Sequence, residues 1–193
     1  MSPDPSDGSV RRDGELMRRM GAGDTGAFQQ IMTEHSPKLI RLAYGITGRI
    51  DEAEDIAQDA LLSLWRGAPQ WQPRATIAAF LRTVATRRAI DVTRQAHRHV
   101  DDFRMDTLED PGQGQQASVG LAEEVALLRR NLAQLSERQR AALVLVHFDN
   151  RSHREAAEIM DIDIEAFSSL LARARRALKQ KMLEAEANGG ENE

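Results

Sequence analysis

In the stretch "DEAEDIAQDALLSLWRG" the apolar residues Ala53, Ile56, Ala57, Ala60, Leu61 and Leu64 recur at intervals of three and four. On a helix with about 3.6 residues per turn that spacing draws one continuous stripe. The stripe has to be covered, because burying a large apolar side chain contributes about 1.5–3 kcal/mol, against a few tenths per residue from helix propensity. A chain built this way is committed to packing helix on helix. Composition agrees: 41% of the 193 residues are hydrophobic, enough for a core, but only 4% are aromatic and the β-branched runs typical of strands are missing. The expected fold class is all-α, and the length fits one medium domain or two small ones.

Helix boundaries are marked along the chain. In "SPKLIRLAYGITG", Ser36 reads as an N-cap with Pro37 in the first helical position, and Gly48 as the stop. Asp51 and Glu54 stand in capping-box spacing before the striped helix. Earlier, "ELMRRMGAG" and "DTGAFQQIMTEH" read as shorter helices of the same bundle, with Asp24 as a cap. After the Pro-punctuated loop "RGAPQWQPRA", a long helix is expected from about Ile77 to His99, its buried line being Ile77, Phe80, Leu81, Val84 and Ala85.

"DDFRMDTLEDPGQGQQASVG" has no periodicity and reads as a flexible acidic linker. From Val100 to Glu124, Asp101, Asp102, Asp106, Glu109, Asp110, Glu123 and Glu124 stand against a lone Arg104. This segment therefore carries a net −6 of the chain's −4, and the remainder is slightly basic at +2. The expected division is a disordered N-terminus (1–13), a first helical domain (14–99), the linker (100–122), a second helical domain (123–183) and an acidic tail (184–193). Within the second domain three helix starts follow one another: Ser136 with Gln139, Ser152 with Glu155, and Asp163. Two capped helices joined by a short turn, the second of them basic, outline a helix-turn-helix.

Three surfaces carry functional expectations. On the last helix Phe167, Leu170, Leu171, Ala174 and Leu178 share a packing face. Glu165, Ser169, Ala172 and Arg176 lie opposite, flanked by Ser168, Arg173 and Lys179. Small polar residues toward the N-terminal end, with cations further along, suit base edges and phosphates respectively. On the long helix Arg87, Arg94 and Arg98 form a second basic stripe, with Asp91 between them placed to pair with Arg87 and with Arg82 and Arg88 on the flanks. A solvated face is the plain alternative for each. The third surface is the polar side of the striped helix, where Asp55, Gln58 and Asp59 surround Leu62. Acids repel phosphate, so this ridge suits a protein contact.

Other chemistry is excluded or weak. With no cysteine, disulfides and thiolate metal sites are ruled out. His97 and His99 are two apart and lack carboxylate companions, so no metal site is expected, and His147 and His153 read as helix-end or turn residues. No nucleophile cluster, phosphate loop or small-molecule pocket signature appears, so neither enzyme nor cofactor is expected. Trp65 is expected to close the core. Trp71 is placed to cover the bundle edge or to stack on an unpaired base. Without a signal-peptide core or a long apolar window, the chain is expected to be cytoplasmic, with no membrane insertion.

"DEAEDIAQDALLSLWR" followed by "FLRTVATRRAIDVTR" resembles the first conserved domain of the extracytoplasmic-function (ECF) sigma factors of bacterial RNA polymerase. "LSERQRAALVLVHFDNRSHREAAEIMDIDIEAFSSLLARARRAL" resembles their second, so the likeness spans roughly residues 14–182. The resemblance implies an alternative sigma factor with core RNA polymerase and promoter DNA as partners, usually held inactive by an anti-sigma protein. It matches Asp55, Gln58, Asp59 and Leu62 to the polymerase-docking helix. Trp71, Arg82, Thr86, Arg87, Arg88, Asp91, Arg94 and Arg98 fall in the region that opens and holds the minus-ten element. Ser152, Asp163, Glu165, Ser168, Ser169, Ala172, Arg173 and Arg176 fall in the helix-turn-helix that meets the minus-thirty-five element.

The chain departs from the family pattern at Arg87, where Asn is common, and at Asp161, where the turn usually has Gly. Ala166 to Leu171 lack two cations the family often places in the recognition helix, which leaves Arg173, Arg175 and Arg176 for phosphate contacts. The acidic linker fits either a polyanion mimic threading a basic channel of the polymerase or a solubility device. A free-standing helix-turn-helix regulator acting as a homodimer is the alternative reading, although it gives the first half of the chain nothing to do.

Overall fold

The structure, a computed structural model, describes residues 5–72, 75–99 and 127–189, with the side chains of 5–8, 97–99 and 186–189 left out. Every regular element among the described residues is helical, in keeping with the all-α expectation. Helices α1 (Pro5–Gly21), α2 (Thr25–Thr47), α3 (Ile50–Gly67) and α4 (Ile77–His99) form the first half. The second contains α5, described over 127–133, then α6 (Glu137–Leu143) continuing into a wide π-helical turn (Val144–Phe148), α7 (His153–Met160) and α8 (Ile164–Gly189).

In the first half α2 packs along both α3 and α4, and α1 closes over α2 and the short turn Ala68–Gln70. The predicted stripe of α3 is buried throughout, facing Ile31, Leu42 and Ile46 of α2 and Ile77, Leu81 and Ala85 of α4 in one core. Trp65 meets Phe28 edge-on, with ring centroids 4.9 Å apart, and so covers one end of that core. In the second half α6 and α8 pack together, and α7 packs on α8 and the π-helical turn, around Leu145, Phe167, Leu171 and Ala174.

Several expected boundaries hold. The Asp24 carboxylate accepts from the backbone N–H groups of Gly26 and Ala27 and caps α2, and the bond from Arg19 to the same carboxylate is the largest influence lowering its pKa. Gly48 ends α2 in the left-handed region (φ 75°), where a side chain is disfavoured. Ser136 with Gln139 and Ser152 with Glu155 are both complete capping boxes. Asp161 takes the left-handed position (φ 55°, ψ 52°) at the end of α7, and the Ile162 N–H reaches back to the Ala157 carbonyl, closing the turn as a glycine would.

Others differ. Ser36 and Pro37 start nothing: α2 runs through them, because the stripe from Ala27 and Ile31 to Leu39 and Leu42 continues across the proline. Asp51 lies inside the first turn of α3 rather than capping it. Arg49 holds the cap position without a side-chain bond there, and pairs instead with Asp51 and Glu52. Residues 5–13, expected to be disordered, belong to α1, and Asp13 helps to fix the start of α4, where its carboxylate accepts the Ile77 N–H at 2.7 Å. At the other end α8 continues to Gly189, past the expected domain end at 183. The acidic linker falls outside the described residues.

The two halves are not held apart. Gly45 of α2 lies so close to Val144 that a Cβ added there would come within 3.1 Å of its methyl groups. The Arg129 guanidinium stands 5.4 Å from the centre of the Tyr44 ring. Arg140 is wholly buried between the halves, donating to the Ile46 carbonyl at 2.7 Å and to the Ala133 carbonyl at 2.8 Å. Burial lowers its pKa to about 10, so it enters the interface as a cation.

Candidate nucleic-acid interface

The α8 face is presented as its periodicity requires. Phe167, Leu171 and Ala174 are buried, while Asp163, Glu165, Ser168, Ser169, Ala172, Arg173 and Arg176 are exposed along one side. Ser152, at the cap of α7, is exposed too, and its hydroxyl bond to Glu155 is the main cause of that carboxyl's lowered pKa. Arg175 leans toward the preceding π turn, its guanidinium 3.4 Å from His147 Nε2. The outward cations nearest the small polar residues are therefore Arg173 and Arg176, one turn further along.

On α3, Asp55, Gln58 and Asp59 are exposed and Leu62 is half-buried, giving an acidic ridge with an apolar centre on the side away from the core. Arg88 of α4 reaches Asp59 at 3.5 Å. Both side chains are about half exposed, so the pair contributes about 0–1 kcal/mol and leaves the carboxylate available to a stronger partner.

The α4 residues are the ones most altered by tertiary packing. Asp91 pairs with Arg94 at 2.8 Å and not with Arg87 as its spacing suggested. Arg87 Nε instead donates to the Ile159 carbonyl at 3.1 Å, near the end of α7, and a further contact reaches Asp161 at 3.8 Å. Arg82 Nε donates to Asp149, which Arg151 also contacts at 3.2 Å. Thr86 is fully buried and so withheld from any ligand in this arrangement. Trp71 stacks edge-on against Phe80 with centroids 5.5 Å apart. It lines a cleft of about 420 Å³ that runs between the halves, with Phe80 and Arg82 on one wall and Arg151 and Glu155 on the other. The Arg98 side chain lies outside the described residues.

Among the described residues no group of acidic, His or Cys side chains is arranged to hold a metal, and no helix is long and apolar enough to cross a membrane. Sequence reasoning missed Arg140, Asp149 and Asp13. Arg140 left a trace, since it sits three and four residues before the buried Leu143 and Val144 and hence on an apolar face. Asp149 and Asp13 act across 67 and 64 residues and leave no local mark.

Two family models match in the order the two halves occur: Sigma-70 region 2 over residues 31–99 and Sigma-70, region 4 over 126–178. ECF RNA polymerase sigma factor SigM of Mycobacterium tuberculosis is 31% identical over 168 residues, covering 87% of this chain and 83% of that protein. The chain belongs to the ECF sigma factor family. SigW of Bacillus subtilis, another ECF sigma factor, is 25% identical over 179 residues, covering 86% of this chain and 94% of its own. The sigma factor RpoE of Bartonella quintana, solved with the anti-sigma factor NepR, superposes with a TM-score of 0.63 at 25% identity, covering 81% of this chain and 96% of that one. CnrH, solved with the cytosolic domain of CnrY, gives a TM-score of 0.64 at 22% identity over 90% of this chain and 97% of its own, and shows the shared fold. An ECF sigma factor is a promoter-recognition subunit of RNA polymerase, not an enzyme in its own right.

Proposed function

We propose that this sigma factor acts in the cytoplasm by docking on core RNA polymerase through the α3 ridge, with Asp55, Gln58 and Asp59 as polar contacts and Leu62 as the apolar centre. Trp71 and the α4 residues Arg82, Arg87, Arg88, Arg94 and Arg98 then meet the minus-ten element, while Asp91 orients Arg94. In the second half Ser152, Asp163, Glu165, Ser168, Ser169 and Ala172 face the minus-thirty-five element, and Arg173 and Arg176 hold its phosphates. In this reading the minus-ten unit ends at residue 99 and the minus-thirty-five unit spans α5 to α8.

The observation that supports this reading is the separation of charge by helix. The acidic ridge of α3 and the small-polar-then-cationic face of α8 both stand exposed on different halves, suited to a protein and to a polyanion respectively. Control by an anti-sigma protein follows from the likeness to RpoE, which was solved with one. The test is open-complex formation, read as reactivity of unpaired thymines on promoter templates given core polymerase with or without this chain. The reading requires strand opening only when both are present.

A further inference from the structure

We infer that Asp13 is a positioning residue for the minus-ten step: α1 splints the connection between α3 and α4 at both its ends and so sets where Trp71 stands. This rests on the proposed assignment of Trp71 to the minus-ten element.

Trp71 has little of its own to hold it. Its ring meets Phe80 edge-on, its backbone N–H closes the turn onto the Ala68 carbonyl at 3.2 Å, and its buried indole N–H has no hydrogen-bond partner among the described residues. Clefts open on both sides of it, about 420 Å³ toward α4 and α7 and about 610 Å³ toward α1. Where the ring stands is therefore decided by the backbone on either side.

α1 fixes that backbone twice. At the entry, Gly21 packs so closely on the turn Ala68–Gln70 that a Cβ there would stand 3.2 Å from the Ala68 carbonyl oxygen and 3.3 Å from the Pro69 Cα. At the exit, the Asp13 carboxylate accepts the Ile77 N–H at 2.7 Å. That N–H lies in the first turn of α4, where it has no partner within its own helix, and an anion there also meets the positive end of the helix dipole. Yet α4 does not need Asp13 in order to start, because the Thr76 hydroxyl already accepts from the Ala79 N–H at 3.1 Å. What the second bond adds is a tie between α1 and α4 across 64 residues.

The splint is itself fixed. Leu16, Met17 and Met20 seat one face of α1 in the core. Ion pairs from Arg12 to Glu34 at 3.0 Å and from Arg19 to Asp24 at 2.7 Å tie it to α2 and its cap. The Sigma-70 region 2 match begins at residue 31, so α1 lies outside it.

Three variants of the full chain test the inference: Asp13→Ala, Asp13→Asn, which keeps an oxygen able to accept the Ile77 N–H, and Trp71→Ala. With core polymerase, Asp13→Ala should dock within about twofold of wild type yet open promoters about fivefold less, the scale of one lost cap bond. Asp13→Asn should recover most of that loss. With 5-fluorotryptophan in place of the two tryptophans, Asp13→Ala should move or broaden the Trp71 fluorine resonance and leave that of Trp65 in place. An unmoved Trp71 resonance, opening equal to wild type, or a loss of opening matched by an equal loss of docking would overturn the inference, as would an Asn variant no better than the Ala one. Normal opening by Trp71→Ala would remove Trp71 from the minus-ten step and the inference with it. Impaired opening by Trp71→Ala beside wild-type behaviour of Asp13→Ala would overturn the positioning role alone.

Discussion

Arg140 donates through Nη1 to the Ile46 carbonyl at 2.7 Å, a hydrogen bond across 94 residues that joins the last turn of α2 to the start of the helix-turn-helix half. The acceptor in this bond is a carbonyl, not a carboxylate. What the guanidinium neutralises here is the negative end of α2, whose final carbonyls have no intrahelical partner.

Removing it should therefore be costly. Arg140→Ala leaves the carbonyls of Ile46, Ala133 and Leu135 buried without their donor and opens a cavity, so a loss of about 3 kcal/mol is expected. Arg140→Lys should recover little of it, since one ammonium cannot fork between carbonyls on both halves. Urea denaturation of the two variants against wild type measures both.

The α3 ridge gives a second expectation. Asp55→Arg with Asp59→Arg reverses two exposed charges without touching the core, so thermal stability should stay within about 0.5 kcal/mol of wild type. Affinity for core polymerase should fall at least about tenfold, each charge contributing on the order of 1 kcal/mol or more at a protein contact. Sedimentation or fluorescence binding with core enzyme reads the difference.

Arg176 is exposed on the α8 face, a turn beyond the small polar residues. If it meets one phosphate, Arg176→Ala should reduce the slope of log binding against log salt by about 0.9. Promoter binding by the holoenzyme across a salt series decides it, and an unchanged slope would remove Arg176 from the interface.

The capping box of α7 links stability to pH. Glu155 has its pKa lowered, chiefly by the Ser152 hydroxyl, so its contribution is present above the ordinary value of 4.5 and is lost as pH falls through the lower folded-state value. Ser152→Ala should cost about 1 kcal/mol at neutral pH, and the variant should lose less further stability on acidification. Thermal melts from pH 7 down to below 4.5 check both.

Much of this was legible in the sequence because it is local. The α3 stripe, the Ser136 and Ser152 caps, the Gly48 stop and the two-sided α8 helix depend on neighbours within one or two turns. Pro37 misled because a proline inside a helix is tolerated where tertiary packing holds the stripe on both sides. The α4 pairing failed for a related reason: Arg87 faces a carbonyl of α7, brought there by chain closure across 72 residues, and Asp91 takes the nearer Arg94. Whether two helical halves touch is decided by long-range complementarity such as Gly45 against Val144, which no periodicity encodes.

The most direct test of sigma activity is reconstituted transcription with purified core polymerase on a pool of genomic fragments. The chain should direct initiation at a discrete set of start sites that vanish when it is omitted and when Asp55 and Asp59 are both replaced by arginine. Start sites that are the same with and without the chain, or DNA binding by the chain that never yields initiation by core polymerase, would contradict it.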